Sequence, residues 1–209
     1  GSAYDDLGQR QRAIQDHDTA IRLKPDYADA YYNRGNTYFN LEQYQQAIQD
    51  HDAVIRLKPD LAEAYSNRGT TYAALGQYQR AIQDHDTAIR LKPDDAEAYY
   101  DRGLAYGNLG QHQRAIQDFN TAIRLKPDYA KAYYNRGVAY ADLGQLQRAI
   151  QDFDTAIRLK PDDAKAYNNR GIYYIISGNN AEGCLSFIKA CELGVCKGYE
   201  FARQKGVCR

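Results

Sequence analysis

The sequence predicts an all-α fold, a solenoid of stacked antiparallel helix pairs, and three observations carry that prediction. The tetrapeptide AIQD begins five times at intervals of 34 residues, at Ala13, Ala47, Ala81, Ala115 and Ala149. The five prolines keep the same period, at Pro25, Pro59, Pro93, Pro127 and Pro161. Each period contains two stretches with apolar residues at helical spacing, and such a helix pair must stack on a neighbour to bury its apolar face.

One period, from Ala28 to Leu61, shows both helices. Tyr31, Gly35 and Tyr38 fall at i, i+4 and i+7 on the first helix, and a second periodic run follows a turn near Leu41. Other copies place glycine at this turn, where a helix can end in a left-handed residue: Gly76, Gly110 and Gly144.

An aspartate follows each proline, and we expect it to cap the next helix: Asp26, Asp60, Asp94, Asp128 and Asp162. In two copies a glutamate three residues later, Glu63 or Glu97, has the spacing of a capping box.

The phase of the repeat predicts one domain over residues 1–209. A truncated repeat covers 1–27, and four full repeats follow at 28–61, 62–95, 96–129 and 130–163. A degenerate repeat with Gly183 in place of the alanine covers 164–195, and a cysteine-containing capping helix covers 196–209. The chain starts inside a repeat with GSAYDDLGQ and contains no Met. We therefore expect an excised fragment that begins with a two-residue cloning remnant.

The recurring residues resemble those of tetratricopeptide repeats, over about residues 3–193. The 34-residue period, Gly35 and Tyr38 in the first helix, Ala47 in the second and the closing proline all fit that family. The resemblance implies a right-handed superhelix whose first helices line a concave groove. It also implies a scaffold that binds proteins or peptides rather than an enzyme.

One departure from the family is systematic, because arginine stands where the family usually carries leucine: Arg34, Arg68, Arg102, Arg136 and Arg170. We expect ion pairs with aspartates of the paired second helix, Asp50, Asp84, Asp118 and Asp152. The tyrosines on the same side of the first helix are predicted to lie in the core: Tyr31, Tyr65, Tyr99, Tyr133 and Tyr167, with Tyr38, Tyr72, Tyr106, Tyr140 and Tyr174 beside them.

The opposite side of the first helix carries asparagine in nearly every copy, although asparagine is a mediocre helix former: Asn33, Asn67, Asn135 and Asn169, with Asp101 as the exception. The resemblance implies that these amides, which donate and accept hydrogen bonds, hold the main chain of an extended peptide. Tyr32, Tyr100 and Tyr134 would contact its side chains. The alternative is that the asparagines only cap, face solvent or bond between neighbouring repeats.

The other positions on this side change along the chain from acidic and polar to basic and apolar. Lys131 and Lys165, with Leu104, Val138 and Ile172, favour a ligand that carries acidic and apolar residues. A clamp for acidic chaperone tails, known in some family members, is disfavoured because Glu97 and Asp101 stand where it needs cations.

Two other functions stay open. The truncated N-terminal end leaves apolar residues around Ala13, Ile14 and Ile21 that could pair with a second copy and form a homo-oligomer. The repeats could also be the specificity arm of an enzyme whose catalytic domain is absent from this chain.

Composition and motifs argue against several other classes. Basic and acidic residues number 27 each, which disfavours nucleic acid, and the longest apolar stretch, IYYII at 172–176, is far too short to span a membrane. No catalytic set, phosphate loop or metal spacing occurs, so we expect no enzyme activity, cofactor or metal. His17, His51 and His85 share a column with Phe119, Phe153 and Phe187, which predicts packing rather than metal binding.

All four cysteines lie in the last 26 residues, at Cys184, Cys191, Cys196 and Cys208. A short helix over 197–204 is expected to fold back antiparallel and cap the core, which brings Cys196 to Cys191 and Cys208 to Cys184. Two disulfides are therefore favoured, while free thiols and zinc stay open. Oxidised cysteines would indicate a periplasmic or secreted protein, and reduced ones a cytoplasmic protein.

Overall fold

The computed structural model describes residues 7–208, and over these residues it contains twelve helices and no strand. This confirms the all-α prediction. The helices are α1 (Leu7–Leu23), α2 (Ala28–Asn40), α3 (Tyr44–Leu57), α4 (Ala62–Ala74), α5 (Tyr78–Leu91), α6 (Ala96–Asn108), α7 (His112–Leu125), α8 (Ala130–Asp142), α9 (Leu146–Leu159), α10 (Ala164–Ile176), α11 (Asn180–Glu192) and α12 (Lys197–Gln204).

The chain divides into two compact units, unit 1 over residues 1–105 and unit 2 over residues 106–209. Within unit 1, α2 packs on α3 and α4 on α5, while α3 also packs on α4. Within unit 2, α8 packs on α9 and α10 on α11, while α9 also packs on α10. Each unit is therefore a stack of helix pairs, and the assignment of the whole chain to one domain stays a prediction.

The turn inside each helix pair needs a left-handed residue, as the glycine pattern predicts. Gly76, Gly110 and Gly144 have φ between +71° and +72°. In the α2–α3 turn the equivalent residue is Glu42, which adopts φ +59°. That conformation is unfavourable for a side chain with a Cβ atom, so this turn carries strain that the other copies avoid.

The predicted caps are wrong by one residue. The N-cap of α4 is Leu61, not Asp60, and no side chain caps this helix. The N-caps of α2 and α8 are Tyr27 and Tyr129, and these helices also lack a side-chain cap. Side-chain caps occur where the following residue is a second aspartate, since Asp163 accepts from the backbone N–H groups of Lys165 and Ala166. Glu63 pairs with a lysine instead of completing a capping box.

In four helix pairs, a glycine on the first helix meets a ring on the second, at Gly35, Gly69, Gly137 and Gly171. A Cβ atom built on Gly35 would lie 2.9 Å from His51, and one built on Gly137 would lie 3.0 Å from Phe153. Only glycine therefore lets the two helices approach this closely around a large side chain. In unit 2 the Phe153 ring also stacks on Tyr173, with centroids 5.8 Å apart.

Arg34, Arg68 and Arg136 form the predicted ion pairs, and the arginine column also makes a second set of contacts that the sequence did not reveal. Arg68 donates from Nε and Nη2 to both carboxylate oxygens of Asp84, at 2.8 and 2.6 Å, and Nη1 donates to Asp52 of the preceding repeat at 2.6 Å. The same double attachment, to the paired helix and to the preceding repeat, occurs at Arg34 (Asp50, Asp18), Arg136 (Asp152, Asn120) and Arg170 (Ser186, Asp154).

The tyrosines predicted as core residues are half-buried, because they sandwich the arginines. Arg68 lies 5.7 Å from the Tyr65 ring and 5.9 Å from the Tyr72 ring. Aromatic faces attract the guanidinium charge and shield it from water. The hydrocarbon core consists instead of small and branched residues and of phenylalanine, with Ala47, Ala81, Ala115, Ala149 and Phe153 fully buried.

The core of unit 1 contains two buried histidines without hydrogen bonds. Both ring nitrogens of His51 and of His85 lack a partner among the described residues, and both side chains are fully buried. Burial, together with the nearby charge of Arg68 for His51 and of Arg102 for His85, lowers the pKa of each to about 4 from the usual 6.5. Asp52 and the Tyr32 ring, which also lie near His51, do not prevent this.

We expect acid to destabilise the fold through these histidines. The unfolded chain takes up protons as the pH falls below 6.5, whereas the folded chain does not until the pH approaches 4. Stability should therefore fall over that window, by up to about 3 kcal/mol per histidine at pH 4. Urea unfolding at pH 7, 6, 5 and 4 measures this.

The matched variant is His51→Phe with His85→Phe, because phenylalanine fills the same column in unit 2. Between pH 6.5 and 4, the unfolding free energy of this variant should fall much less than that of the unchanged protein. An unchanged pH dependence would assign the acid sensitivity to other groups.

We also expect Arg68→Leu to destabilise the protein by about 3–5 kcal/mol, because it leaves the buried Asp84 carboxylate without its partner. Arg90→Leu, at an exposed position on α5, should change the free energy of unfolding by less than about 0.5 kcal/mol. The double variant Arg68→Leu with Asp84→Leu should regain most of the loss. If Arg68→Leu and Arg90→Leu lower the free energy of unfolding equally in chemical denaturation, the ion pair has no structural role.

Candidate peptide-binding site

The exposed faces of the first helices in unit 1 form a polar pocket. Its volume is about 340 Å³. It is lined by Tyr32, Asn36, Phe39 and Asn40 of α2, Asn67 and Thr70 of α4, and His51 of α3. Amide and hydroxyl groups surround two aromatic rings, so the pocket offers both hydrogen bonds and apolar contact to a ligand.

Two of the lining amides are bonded to each other. Asn67 Nδ2 donates to Asn36 Oδ1 at 2.9 Å and so joins neighbouring repeats. This bond occupies the acceptor of Asn36 and one donor of Asn67, and it leaves the Asn36 NH₂ group and the Asn67 carbonyl oxygen for a ligand. One donor and one acceptor, held side by side, match what a peptide unit presents.

The other predicted residues of unit 1 lie on the same helix faces. Asn33 is exposed on α2. Asp101 accepts a long hydrogen bond, 3.4 Å, from the Thr70 hydroxyl, and Tyr100 and Leu104 are half-buried. The structure therefore places Asp101, rather than a further asparagine, beside the polar pocket.

In unit 2 the asparagines bond within the protein. Asn169 Nδ2 donates to the Tyr134 hydroxyl at 3.0 Å, and Asn135 Nδ2 donates to the Lys131 carbonyl at 2.9 Å. Burial raises the pKa of the Tyr134 phenol. The Asn169 bond agrees with the alternative that the asparagines connect repeats, whereas the Asn135 bond stays within α8. Asn169 keeps its amide oxygen as an acceptor for a ligand.

The remaining predicted residues of unit 2 are the basic and apolar ones. Lys131 and Lys165 are exposed, Val138 is half-buried and Ile172 is 36% exposed. Ile176, which the sequence places on the same helix face, is 60% exposed. In unit 1 the pocket also contains Phe39 and His51, which the sequence did not assign to the site. Phe39 could have been noticed, since the same column holds Ala73, Gly107 and Ala141 in the next three copies.

The C-terminal end of unit 2 is closed by α12 and two disulfides, in the pairing that the sequence favours. Cys184 is joined to Cys208 and Cys191 to Cys196, with Cα atoms 5.6 and 4.0 Å apart. Helix α12 covers Phe187, and Ala202 and Cys208 are buried against that ring. The disulfides therefore attach a helix of eight residues, which is too short to be stable alone.

Two negative findings concern residues 7–208. No cluster of three or more His, Cys, Asp or Glu side chains in this range could hold a metal ion. None of the helices here combines the length and the apolar character that a membrane span requires.

Comparison with known proteins identifies the family. Profiles for the tetratricopeptide repeat match residues 28–61, 52–83, 100–164 and 134–183, and a profile described as TPR repeat matches residues 1–42 and 69–110. The crystal structure of MamA is 31% identical over 76% of this chain and 93% of that chain, with a TM-score of 0.72. The chain belongs to the tetratricopeptide repeat family. The TPR resemblance and the solenoid fold class predicted from the sequence are thus confirmed.

Other solved TPR structures share the fold at lower identity. MamA from Desulfovibrio magneticus RS-1, residues 41 to the end, is 25% identical over 79% of this chain and 94% of that chain, with a TM-score of 0.74. YrrB, described as a TPR protein with an unusual peptide-binding site, is 22% identical over 90% of this chain and 97% of that chain, with a TM-score of 0.72. No curated protein sequence matches the chain significantly.

We expect the two disulfides to be present in the purified TPR protein and to stabilise its C-terminal end. Thiol titration of the denatured, non-reduced protein should find no free thiol. Cys184→Ser with Cys208→Ser should cost about 3 kcal/mol, and Cys191→Ser with Cys196→Ser, which opens a shorter loop, about 2 kcal/mol. Four titratable thiols without reductant would contradict the disulfides.

Proposed function

We propose that this TPR protein is an interaction scaffold that binds an extended segment of a partner protein along the exposed faces of its first helices. Membership of the TPR family supports a protein-interaction scaffold as the general class. The finer proposal, peptide binding, is supported by one observation: Asn67 donates to Asn36 in the polar pocket, so the pair has a further donor on Asn36 and a further acceptor on Asn67 for a ligand.

Each group has a role in this proposal. In unit 1, the Asn36 amide donates to a main-chain carbonyl of the ligand and the Asn67 oxygen accepts from a main-chain N–H. The exposed Asn33 amide can extend this contact along α2. Because amides pair with any peptide unit, these contacts give affinity that does not depend on the sequence of the ligand.

The two rings in the polar pocket add contact with side chains of the ligand. Tyr32 and Phe39 form its apolar walls, and Asn40 and Thr70 its polar rim. In unit 2, Tyr134 and the Asn169 oxygen would supply the equivalent contacts. Asn135 occupies the position of Asn169 one repeat earlier. Asp101, which accepts from Thr70, adjoins the pocket of unit 1, and Tyr100 and Leu104 on the same helix would extend the contact along α6.

The other two predicted functions have less support. Self-association through the N-terminal end stays a prediction, because Ile14 is buried within unit 1 and Ala13 and Ile21 are half-buried. A role as the arm of an enzyme also stays a prediction. TPR scaffolds are generally non-enzymatic, which favours binding over catalysis.

The test uses peptides selected by this protein from a random displayed library. The double variant Asn36→Ala with Asn67→Ala should bind the selected peptides about tenfold or more weakly than the unchanged protein, since each lost hydrogen bond costs about 1 kcal/mol. Gln49→Ala with Gln83→Ala removes two exposed amides from second helices and should leave affinity unchanged. Circular dichroism checks that both variants fold. If the library yields no binder, or if both variants bind equally, peptide capture by these amides is wrong.

A further inference from the structure

In unit 1, the lysines that follow α3 and α5 are each neutralised by an acid at the start of the first helix of the same pair. Lys58 Nζ lies 2.8 Å from Asp29, and Lys92 Nζ lies 3.2 Å from Glu63. Each lysine is the C-cap of its helix and each acid is the second residue of α2 or α4. The repeat therefore places these two positions within contact distance.

In unit 2 the same two positions both carry lysine. Helix α8 begins at Ala130 as α2 begins at Ala28, so Lys131 stands where Asp29 does. Lys160 is the C-cap of α9 with φ −137° and ψ 86°, nearly the backbone conformation of Lys58 at φ −136° and ψ 78°. Two ammonium groups thus occupy positions that form an ion pair in unit 1.

A third lysine follows one repeat later. Lys165 stands where Glu63 does, and Gly194 replaces the lysine that would have followed it. Lys131, Lys160 and Lys165 are all exposed, and none of them forms an ion pair among residues 7–208.

The acids near these lysines either recur in unit 1 or are bonded. Asp128 and Asp162, in the turns before α8 and α10, repeat Asp26 and Asp60 of unit 1. Asp163 accepts two backbone N–H groups as the N-cap of α10, and Asp142, at the far end of α8, lies 3.4 Å from His112. The exchange of Asp29 and Glu63 for Lys131 and Lys165 therefore makes this face more positive than its counterpart in unit 1.

Apolar side chains follow the lysines on the same helix faces. Val138 is seven residues after Lys131, and Ile172 and Ile176 are seven and eleven residues after Lys165, which is one face of a helix. In α2 and α4 of unit 1 the corresponding residues are polar or small: Asn36, Asn40, Thr70 and Ala74. Ile176 at 60% exposed is the largest departure, because an isoleucine gains nothing from water at that position.

We propose that this face of unit 2 binds a protein segment in which carboxylates adjoin apolar side chains. We call it the cationic face and define it by Lys131, Lys160, Lys165, Val138, Ile172 and Ile176. A ligand carboxylate takes the place, between Lys131 and Lys160, that Asp29 fills beside Lys58 in unit 1. Apolar ligand residues then cover Ile172 and Ile176. The inference rests on the proposed function, since it names the ligand class of the same first-helix faces.

The cationic face suits an acidic peptide better than nucleic acid. It combines three lysines with three aliphatic side chains, and the nearby Tyr134 ring is half-buried and bonded to Asn169, whereas single-stranded nucleic acid needs exposed rings for its bases to stack on. Exposed aliphatic groups bind apolar side chains of a peptide, whereas a phosphate backbone leaves them uncovered. An oligonucleotide is therefore the competing ligand in the test.

The probes are fluorescent peptides of about ten residues in which glutamate alternates with leucine, together with counterparts that carry glutamine or lysine in place of glutamate. We expect the glutamate peptide to bind about tenfold or more tightly than the glutamine peptide and the lysine peptide to bind least. Affinity for the glutamate peptide should fall with added salt. Tighter binding of a single-stranded oligonucleotide than of the glutamate peptide would overturn the assignment.

Lys131→Asp is the matched variant, because it restores the ion pair that unit 1 makes between Asp29 and Lys58. The variant should fold with unchanged or higher thermal stability, yet bind the glutamate peptide about tenfold less tightly. Asp29→Lys, the reverse change in unit 1, should leave affinity for unit 2 ligands unchanged. Unchanged affinity of Lys131→Asp would overturn the proposal.

A random displayed library separates this inference from the proposed function. Both proposals are supported if the selected peptides are rich in glutamate or aspartate beside aliphatic residues and no longer bind the Lys131→Asp variant. Selected peptides without that enrichment, and unaffected by Lys131→Asp, keep the scaffold and overturn the cationic face. No selected peptide at all overturns peptide binding itself.

Discussion

The arginine of each first helix is the contact on which the stacking depends. Arg68 holds both carboxylate oxygens of Asp84 on its own second helix and, at the same time, Asp52 on the second helix of the preceding repeat. Tyr65 and Tyr72 cover its guanidinium on both sides. A half-buried charge with fixed donor directions tolerates little displacement, so three helices must keep one register.

That register permits the glycine-to-ring contact beside it, and the ring differs between the units. Histidine fills the column in unit 1, at His51 and His85, and phenylalanine fills it in unit 2, at Phe119 and Phe153. Both fit against glycine because their shapes are similar. Only histidine takes up a proton, so the same column is expected to make the core of unit 1 sensitive to acid, whereas the phenylalanines of unit 2 add no such sensitivity.

Because stacking constrains the interior in every copy, the copies differ mainly on the exposed faces of the first helices. In unit 1 this face is polar, and its acids neutralise the lysines Lys58 and Lys92. In unit 2 the acids are replaced by Lys131 and Lys165, and aliphatic groups follow them. The same backbone positions thus present two chemistries, which is how a repeat protein acquires selectivity without changing its fold.

The sequence by itself determined the helix pairs, the glycine turns, the arginine–aspartate pairs and the capping helix at 197–204, because spacing within one repeat decides them. Only the tertiary structure decided the second partner of Arg68, the bond between Asn67 and Asn36, and the place of Phe39 in the polar pocket. These contacts join neighbouring repeats. The rotation of one repeat on the next brings such residues together, and side-chain packing, not spacing, sets that rotation.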